Sequence, residues 1–140
     1  MRIDELKSIA RENGIVGAGG AGFPAYAKMT DKADTVILNC VECEPLLKLH
    51  RQLLATYTDE IIKMLDEVRE AFGAKEAVVG IKSEYVTTIK AVEQVLGNYP
   101  KVRICALKAA YPMGDEVVLI YEATGKVVRP GGLPIEQGVA

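Results

Sequence analysis

Apolar and polar positions follow two periods along this 140-residue chain, one typical of amphipathic helices and one of buried strands. The helical period predicts helices at residues 3–12, 24–28, about 50–72, 86–97 and 114–124. Runs of β-branched and other apolar residues predict strands at 35–39, 76–81 and 102–107. Because strands alternate with helices, we predict an α/β fold, a Rossmann-like three-layer sandwich with a mostly parallel sheet.

The amino-acid composition argues against nucleic acid and membrane lipid as direct partners of this chain. Hydrophobic residues make up 49% of the chain, and 17 basic against 19 acidic residues give a net charge of −2. Without a basic excess, nucleic acid is not an expected partner. No apolar run reaches the roughly 18 residues of a membrane span, so direct membrane insertion is not expected. Three cysteines, an odd number, favour reduced thiols and a cytoplasmic setting.

Four glycines crowd into six positions, at Gly17, Gly19, Gly20 and Gly22. The stretch matches the letters G-x-G-x-x-G of dinucleotide-binding folds. In those folds the glycines follow a strand and an acidic residue ends the next one. Here a predicted helix precedes the glycines and the next strand ends at Asn39. The loop is therefore not predicted to be a standard dinucleotide-binding turn.

The same glycines still suit an anionic or flat ligand. Consecutive backbone amides form a concavity that binds anions, and a helix starting at Pro24 would add its positive end. Lys28 would lie near the same place. The pattern thus predicts a site for a phosphate, or for a ring lying on bare backbone. The alternative is a tight loop that only packing requires.

Polar residues follow the first predicted strand. Because ligands bind outside the carboxyl ends of strands in α/β sheets, Glu42 and Glu44 are candidates to accept hydrogen bonds from hydroxyl or amide groups. The alternative is a solvated loop. Cys40 and Cys43 also suggest a metal site, but a structural zinc needs four ligands. The only other candidate ligands are His50 and a cysteine inside the third strand, so no metal ligand is predicted. Zinc or iron in an elemental analysis would support the alternative of a metal site at Cys40 and Cys43.

A third loop follows the last predicted strand and precedes a helix. It contains Tyr111, Gly114, Asp115 and Glu116. Its place in the chain puts it at the same sheet edge as the other two loops. Acidic residues in a first turn are also ordinary helix chemistry, which is the alternative interpretation.

Taken together, the three loops resemble one known family. "GAGGAGFPAYAK" (17–28), "NCVECEP" (39–45), "YPMGDE" (111–116) and "GGLP" (131–134) occur in the family's order. They resemble the flavin- and NADH-binding domain of the complex I flavin subunit and of its relative, the C subunit of the Rnf electron-transport complex. The third and fourth segments are similar to the Rnf-type branch, which includes a cobalamin reductase of propanediol utilisation and an electron-transfer protein associated with proline reductase.

The resemblance implies FMN and NADH as ligands, no side-chain catalytic group and no metal ligand in this chain. The residues implied to hold FMN are Gly17, Gly19, Gly20, Gly22, Lys28, Asn39 and Glu42. Those implied to close over FMN are Gly114, Asp115 and Glu116. Phe23 and Glu44 are implied to contact NADH, with Tyr111 near the flavin.

The resemblance also implies an electron-transfer role. A hydride would pass from NADH to FMN, and single electrons would pass to an iron–sulfur centre outside this chain. The alternatives are the flavin domain of a cobalamin reductase and a docking domain that has lost its cofactor. Ala18 and Val41, where complex I subunits carry Arg and Asp, favour the latter. We expect residues 1–140 to be one FMN/NADH-binding domain, the N-terminal part of a longer iron–sulfur flavoprotein, cytoplasmic or membrane-associated only through partner subunits.

Overall fold

The computed structural model describes residues 1–17, 22–42 and 46–140. Its sheet contains β1 (Thr35–Cys40), β2 (Glu76–Lys82) and β3 (Val102–Leu107). The strands are parallel in the order β1-β2-β3, which the sequence pattern did not fix. The three predicted strands are confirmed, with β1 and β2 each one residue longer than predicted. The parallel α/β fold expected from the alternation of elements is confirmed as well.

Within these described ranges, five α-helices connect and cover the strands: α1 (Ile3–Glu12), α2 (Leu49–Thr56), α3 (Thr58–Phe72), α4 (Val86–Val95) and α5 (Glu116–Thr124). Single 3-10 turns lie at Ala25–Lys28, Leu96–Asn98 and Pro134–Gln137. In the described part of the chain, no helix is long and apolar enough to cross a membrane.

The long helix predicted at about 50–72 is two helices, so that prediction was wrong. Tyr57 leaves helical geometry at φ −115° and ψ 39°. The hydroxyl of Thr58 then donates to the carbonyls of Leu54 (2.7 Å) and Ala55 (3.1 Å), which would otherwise lack partners at the end of α2. The apolar period continues through the break, and periodicity alone therefore could not reveal it.

Three further helix boundaries also differ from the prediction. The helix predicted at 114–124 begins at Glu116, because Asp115 is its N-cap. Gly97 does not end α4 in a left-handed cap, because the helix passes at Val95 into a 3-10 turn that contains this glycine. The predicted helix at 24–28 is one 3-10 turn. A single turn aligns too few peptide groups to present a strong positive end, so the expected helix-dipole contribution beside the glycines is not supported.

Helices cover both faces of the sheet, which confirms the three-layer arrangement. On one face, Ala77, Val79 and Ile81 of β2 pack in a buried cluster with side chains of α2, α3 and α4. On the other face, α5 lies so close that a Cβ added at Gly80 would be 2.8 Å from Leu119 Cδ1. The glycine in the central strand is therefore explained by the close approach of α5.

Gly80→Ala is expected to lower the free energy of unfolding by about 1–3 kcal/mol, because the added methyl overpacks the α5–β2 contact. Urea denaturation monitored by circular dichroism measures the change. Gly97→Ala is a matched control, since a Cβ there would meet nothing within 4 Å. Equal stability of the two variants would show that the close approach of α5 does not restrict this position.

The C-terminal stretch is more ordered than its sequence indicates. The Gly and Pro content of residues 129–140 is typical of extended chain, but residues 134–137 form a 3-10 turn. Val139 then makes a parallel bridge with Thr35. Ala140 donates to the Thr35 carbonyl at 3.0 Å, and the amide of Ile37 donates to Ala140 at 2.8 Å. This last segment extends the sheet along the free edge of β1.

Candidate functional site

After α1, residues 15–17 pair with residues 23–25 in a short antiparallel ladder, which we call the hairpin. Val16 bridges Pro24, and the amide of Gly17 donates to the Phe23 carbonyl at 3.1 Å. The amide of Ala25 donates to Ile15 at 2.9 Å and closes the next rung. Because a helix and not a strand precedes the glycines, the departure from the standard dinucleotide-binding context is confirmed.

Two of the four glycines lie in the described part of the chain, and Gly19 and Gly20 lie outside it. Gly22 has φ +72°, a left-handed conformation that favours glycine. Gly17 has no such constraint, and a Cβ added there would meet nothing within 4 Å. Packing among the described residues therefore does not require glycine at Gly17.

Lys28 ends the 3-10 turn that follows the hairpin. Its ammonium lies 5.5 Å from the centroid of the Phe23 ring, within range of a cation–π contact. Both side chains are exposed. A second contact of this kind places the Arg11 guanidinium 5.8 Å from the Tyr26 ring and ties the turn to α1. The sequence placed Lys28 near the glycines but gave no indication of its contact with Phe23.

Asn39 joins two of the three predicted loops. Its Nδ2 donates to the carbonyl of Gly114 at 3.0 Å, across a separation of 75 residues. Its Oδ1 accepts from the amide of Val41 at 3.0 Å and shapes the turn after β1. The expectation that the first and third strand ends share one edge of the sheet is confirmed by this contact.

Asn39→Ala is expected to lower the free energy of unfolding by about 1–2 kcal/mol, because two hydrogen bonds are lost at the edge of the site. Urea denaturation measures the effect, and alanine at the exposed Asn98 serves as the control. If both alanine variants unfold at the same urea concentration, the Asn39 contacts do not hold the two loops together.

Glu42 is buried, with only 3% of its surface exposed. Its Oε1 accepts a hydrogen bond from the backbone amide of His50, in the first turn of α2. The His50 Nδ1 lies 3.9 Å from the same oxygen. The alternative of a solvated loop is therefore wrong for Glu42. His50 belongs to the start of a helix, as its sequence position indicated.

The second carboxylate oxygen of Glu42 has no hydrogen-bond partner in the described part of the chain. An unsatisfied buried polar atom is rare in folded proteins, because desolvation without a partner costs about 1–3 kcal/mol. Glu42 Oε2 is thus positioned to accept a hydrogen bond from a ligand that carries an N–H or O–H group. Sequence spacing could not show this burial, since α2 lies beyond the range of local capping motifs.

Cys40 ends β1 with its thiol buried. Burial, together with the negative charge of Glu42, raises the pKa of the Cys40 thiol to about 12. The thiol therefore stays protonated at neutral pH and is not a thiolate nucleophile. Cys43 and Glu44 lie outside the described residues, so the structure does not test a pairing of Cys40 with Cys43 or a contact made by Glu44.

The third loop presents one exposed aromatic residue and one capping acid. Tyr111 has 85% of its surface exposed and precedes a cis peptide bond to Pro112. Asp115 caps α5, where its Oδ1 accepts from the amides of Val117 (3.0 Å) and Val118 (3.4 Å). Asp115 therefore lies just before the first turn of α5, as its N-cap, and only Glu116 lies in the first turn. Ordinary helix chemistry thus explains both acidic residues.

The described residues form two groups. Gly17, Gly22 and Phe23 belong to the hairpin, and Lys28 ends the 3-10 turn after it. Within the described ranges, no hydrogen bond or ion pair joins Phe23 or Lys28 to Asn39 or Glu42. Asn39, Gly114, Asp115 and Glu116 lie at the carboxyl edge of the sheet, and Glu42 follows β1 there. In the first group the Lys28 ammonium is exposed, and in the second Glu42 Oε2 has no partner among the described residues. An ammonium can bind a phosphate, and a carboxylate oxygen can accept from a hydroxyl or a ring N–H.

Comparison with known proteins gives a consistent picture. Residues 10–140 match the sequence profile of the Nuo51 FMN-binding domain. The chain is 39% identical over 134 residues to "Cobalamin reductase PduS" of Citrobacter freundii, covering 96% of this chain and 29% of that protein. It is 32% identical to the C subunit of the Na(+)-translocating ferredoxin:NAD(+) oxidoreductase complex of Acetobacterium woodii, covering 99% of this chain and 32% of that protein.

A solved structure shares the fold. "NAD+-reducing [NiFe]-hydrogenase in the H2-reduced state" superposes with a TM-score of 0.78 at 27% identity, over 97% of this chain and 27% of that one. The chain spans about three tenths of the length of the two curated relatives named above. Both the profile match and the relatives agree with the family that the three loops indicated, and the chain belongs to the Nuo51 FMN-binding domain family.

Proposed function

We propose that this chain is the flavin-binding, NADH-oxidising module of an Rnf-C-like electron-transfer protein. The observation that carries the proposal is the buried Glu42 carboxylate, one oxygen of which is satisfied by α2 while the other has no partner in the described part of the chain. The profile match over residues 10–140 supports FMN as the ligand that completes it. When bound, FMN would accept a hydride from NADH and release single electrons to an iron–sulfur centre outside this chain.

In this proposal, the residues of the chain bind and orient FMN and NADH. The glycine hairpin and Lys28 would hold the phosphate, since backbone amides and an ammonium both favour negative charge. Asn39 and Glu42 would hold polar groups of FMN at the carboxyl edge of the sheet. Gly114, Asp115 and Glu116 would close over the ligand, while Phe23, Glu44 and Tyr111 would meet the nicotinamide nucleotide or the flavin ring. Gly19, Gly20 and Glu44 enter on the family resemblance alone.

The proposed electron acceptor lies in further iron–sulfur domains or subunits of an electron-transfer complex. Relatives are named as subunits of ion-translocating oxidoreductases, and this chain covers only about three tenths of their length or less. We place the module in the cytoplasm, with membrane association only through partner subunits.

A second candidate keeps the flavin and changes the acceptor to a corrinoid. The observation that favours it is the identity to the two cobalamin reductases, 39% and 38%, against 32–35% to the C subunits. A module that has lost its cofactor is the remaining alternative. The two flavin proposals share their binding residues and differ in the protein that receives the electrons.

The experiment is an FMN titration of the purified chain followed by flavin fluorescence quenching, and then addition of NADH without oxygen. Saturable quenching and bleaching of the flavin absorbance are expected. Binding without bleaching would contradict NADH oxidation by this chain while keeping the flavin site. A folded chain that does not bind FMN would favour the cofactor-free alternative. Adding a corrinoid to the reduced complex then tests the second candidate.

A further inference from the structure

We propose that Phe23 is a positioning residue, which holds the Lys28 ammonium ready for the phosphate of the ligand without neutralising its charge. The inference rests on the proposed function for the identity of the ligand as a phosphate-bearing flavin. It concerns a pair that neither the sequence motifs nor the family match singles out. The pair is defined by one contact, the 5.5 Å from Lys28 Nζ to the centroid of the Phe23 ring.

The backbone fixes both members of the pair. Phe23 is held by the hairpin, where its carbonyl accepts from Gly17 at 3.1 Å. Lys28 is held at the end of the 3-10 turn, in which Ala27 donates to Pro24 at 3.1 Å. The ring and the ammonium stem therefore start from backbone positions that hydrogen bonds hold in place. An exposed lysine without such a contact would sample many rotamers.

The Lys28 ammonium has an aromatic ring as its partner instead of a carboxylate, and this difference affects phosphate binding. In the described part of the chain Lys28 forms no ion pair with a carboxylate, so its positive charge is not neutralised there. A carboxylate partner would compete with an incoming phosphate and be left unpaired when displaced. An aromatic face orients the ammonium through its quadrupole and leaves the donors on the other side free. The contact lowers the ordering cost of binding a phosphate while keeping the attraction for it.

The test compares FMN with riboflavin, which lacks the phosphate, as ligands of the same folded chain. Phosphate selectivity is the ratio of the riboflavin Kd to the FMN Kd, measured by fluorescence quenching. Phe23→Leu keeps a similar volume and removes the ring face, so selectivity is expected to fall about two- to fivefold. Phe23→Tyr restores the face and is expected to restore selectivity. In a Lys28→Met background, Phe23→Leu should leave the ratio unchanged.

Tyr26→Leu is the matched control, because it removes a similar cation–π contact, to Arg11, from the same turn. It should change both Kd values alike and leave the ratio intact. If Phe23 only stacks on a ring, Phe23→Leu will likewise weaken both ligands equally, and the proposal is overturned. It is also overturned if selectivity falls as much in the Lys28→Met background as in the wild-type chain.

A second readout separates this proposal from the proposed function. In the chain without flavin, the Phe23 ring should shift the NMR signals of the Lys28 ε-methylene upfield, and Phe23→Leu should abolish that shift. Inorganic phosphate, added as a probe, should move the same signals. If flavins fail to bind but these shifts are present, the flavin function fails and the positioning role stands. Absence of the ring shift overturns the positioning role whether or not flavins bind.

Discussion

Replacing Glu42 with glutamine is expected to weaken FMN binding by about ten- to a hundredfold, with little loss of stability in the free chain. The amide oxygen of glutamine can still accept from the His50 backbone amide and keep the cap on α2. Its NH2 group, however, would replace the carboxylate oxygen that has no partner in the described residues. A donor would then face a donor of the ligand, and an unsatisfied buried group of this kind costs about 1–3 kcal/mol.

Fluorescence quenching with FMN measures the affinity of this variant, and urea denaturation of the free protein measures its stability. Glu93→Gln removes the same charge from an exposed position on α4 and is the control. The free energy of unfolding of Glu42→Gln should stay within about 1 kcal/mol of the wild-type value. Wild-type FMN affinity in a folded Glu42→Gln chain would mean that Oε2 does not meet the ligand, and the observation that carries the proposed function would be lost.

The strands were the most predictable part of the fold, and the reason is physical. β2 is buried on both faces and its interior residues form an uninterrupted apolar run, so its burial could be predicted from its composition. The break at Tyr57 was not predictable in the same way, because apolar residues keep helical spacing on both sides of it. What separates the two helices is a set of hydrogen bonds from the Thr58 hydroxyl, and a hydrophobic pattern does not record them.

The candidate site shows a similar division between local and long-range information. Asn39 could be selected from its place at the end of a strand, but its partner Gly114 lies 75 residues away and depends on strand order. Glu42 was recognisable as an acceptor, whereas its burial required α2 to fold back over the β1 end. The Phe23–Lys28 contact depends on the hairpin. The hydrogen bonds that close this hairpin cannot be predicted from the residue types. Residue chemistry was therefore readable from sequence, and residue environment was not.

Truncating Ile62 to alanine is expected to lower the free energy of unfolding by about 2–5 kcal/mol. Ile62 has 0% of its surface exposed and lies in the cluster between α3 and the sheet, where the surrounding side chains cannot close the cavity fully. Small domains have only about 5–15 kcal/mol in total, so this loss is a large fraction of the stability and should lower the midpoint of thermal unfolding by several degrees. Met64→Ala, at an exposed position of the same helix, should change stability far less.

The Ile62→Ala variant also reports on the ligand, because a molecule that binds only the folded state stabilises it by mass action. FMN at a hundred times its Kd should restore about 2.7 kcal/mol and raise the midpoint of thermal unfolding accordingly. The same concentration should restore much less in a chain that also carries Glu42→Gln, since the affinity of that chain is expected to be lower. If FMN raises both midpoints equally, the flavin binds away from Glu42. If it raises neither while unfolding remains reversible, the folded domain does not bind flavin, and the cofactor-free alternative is the one that survives.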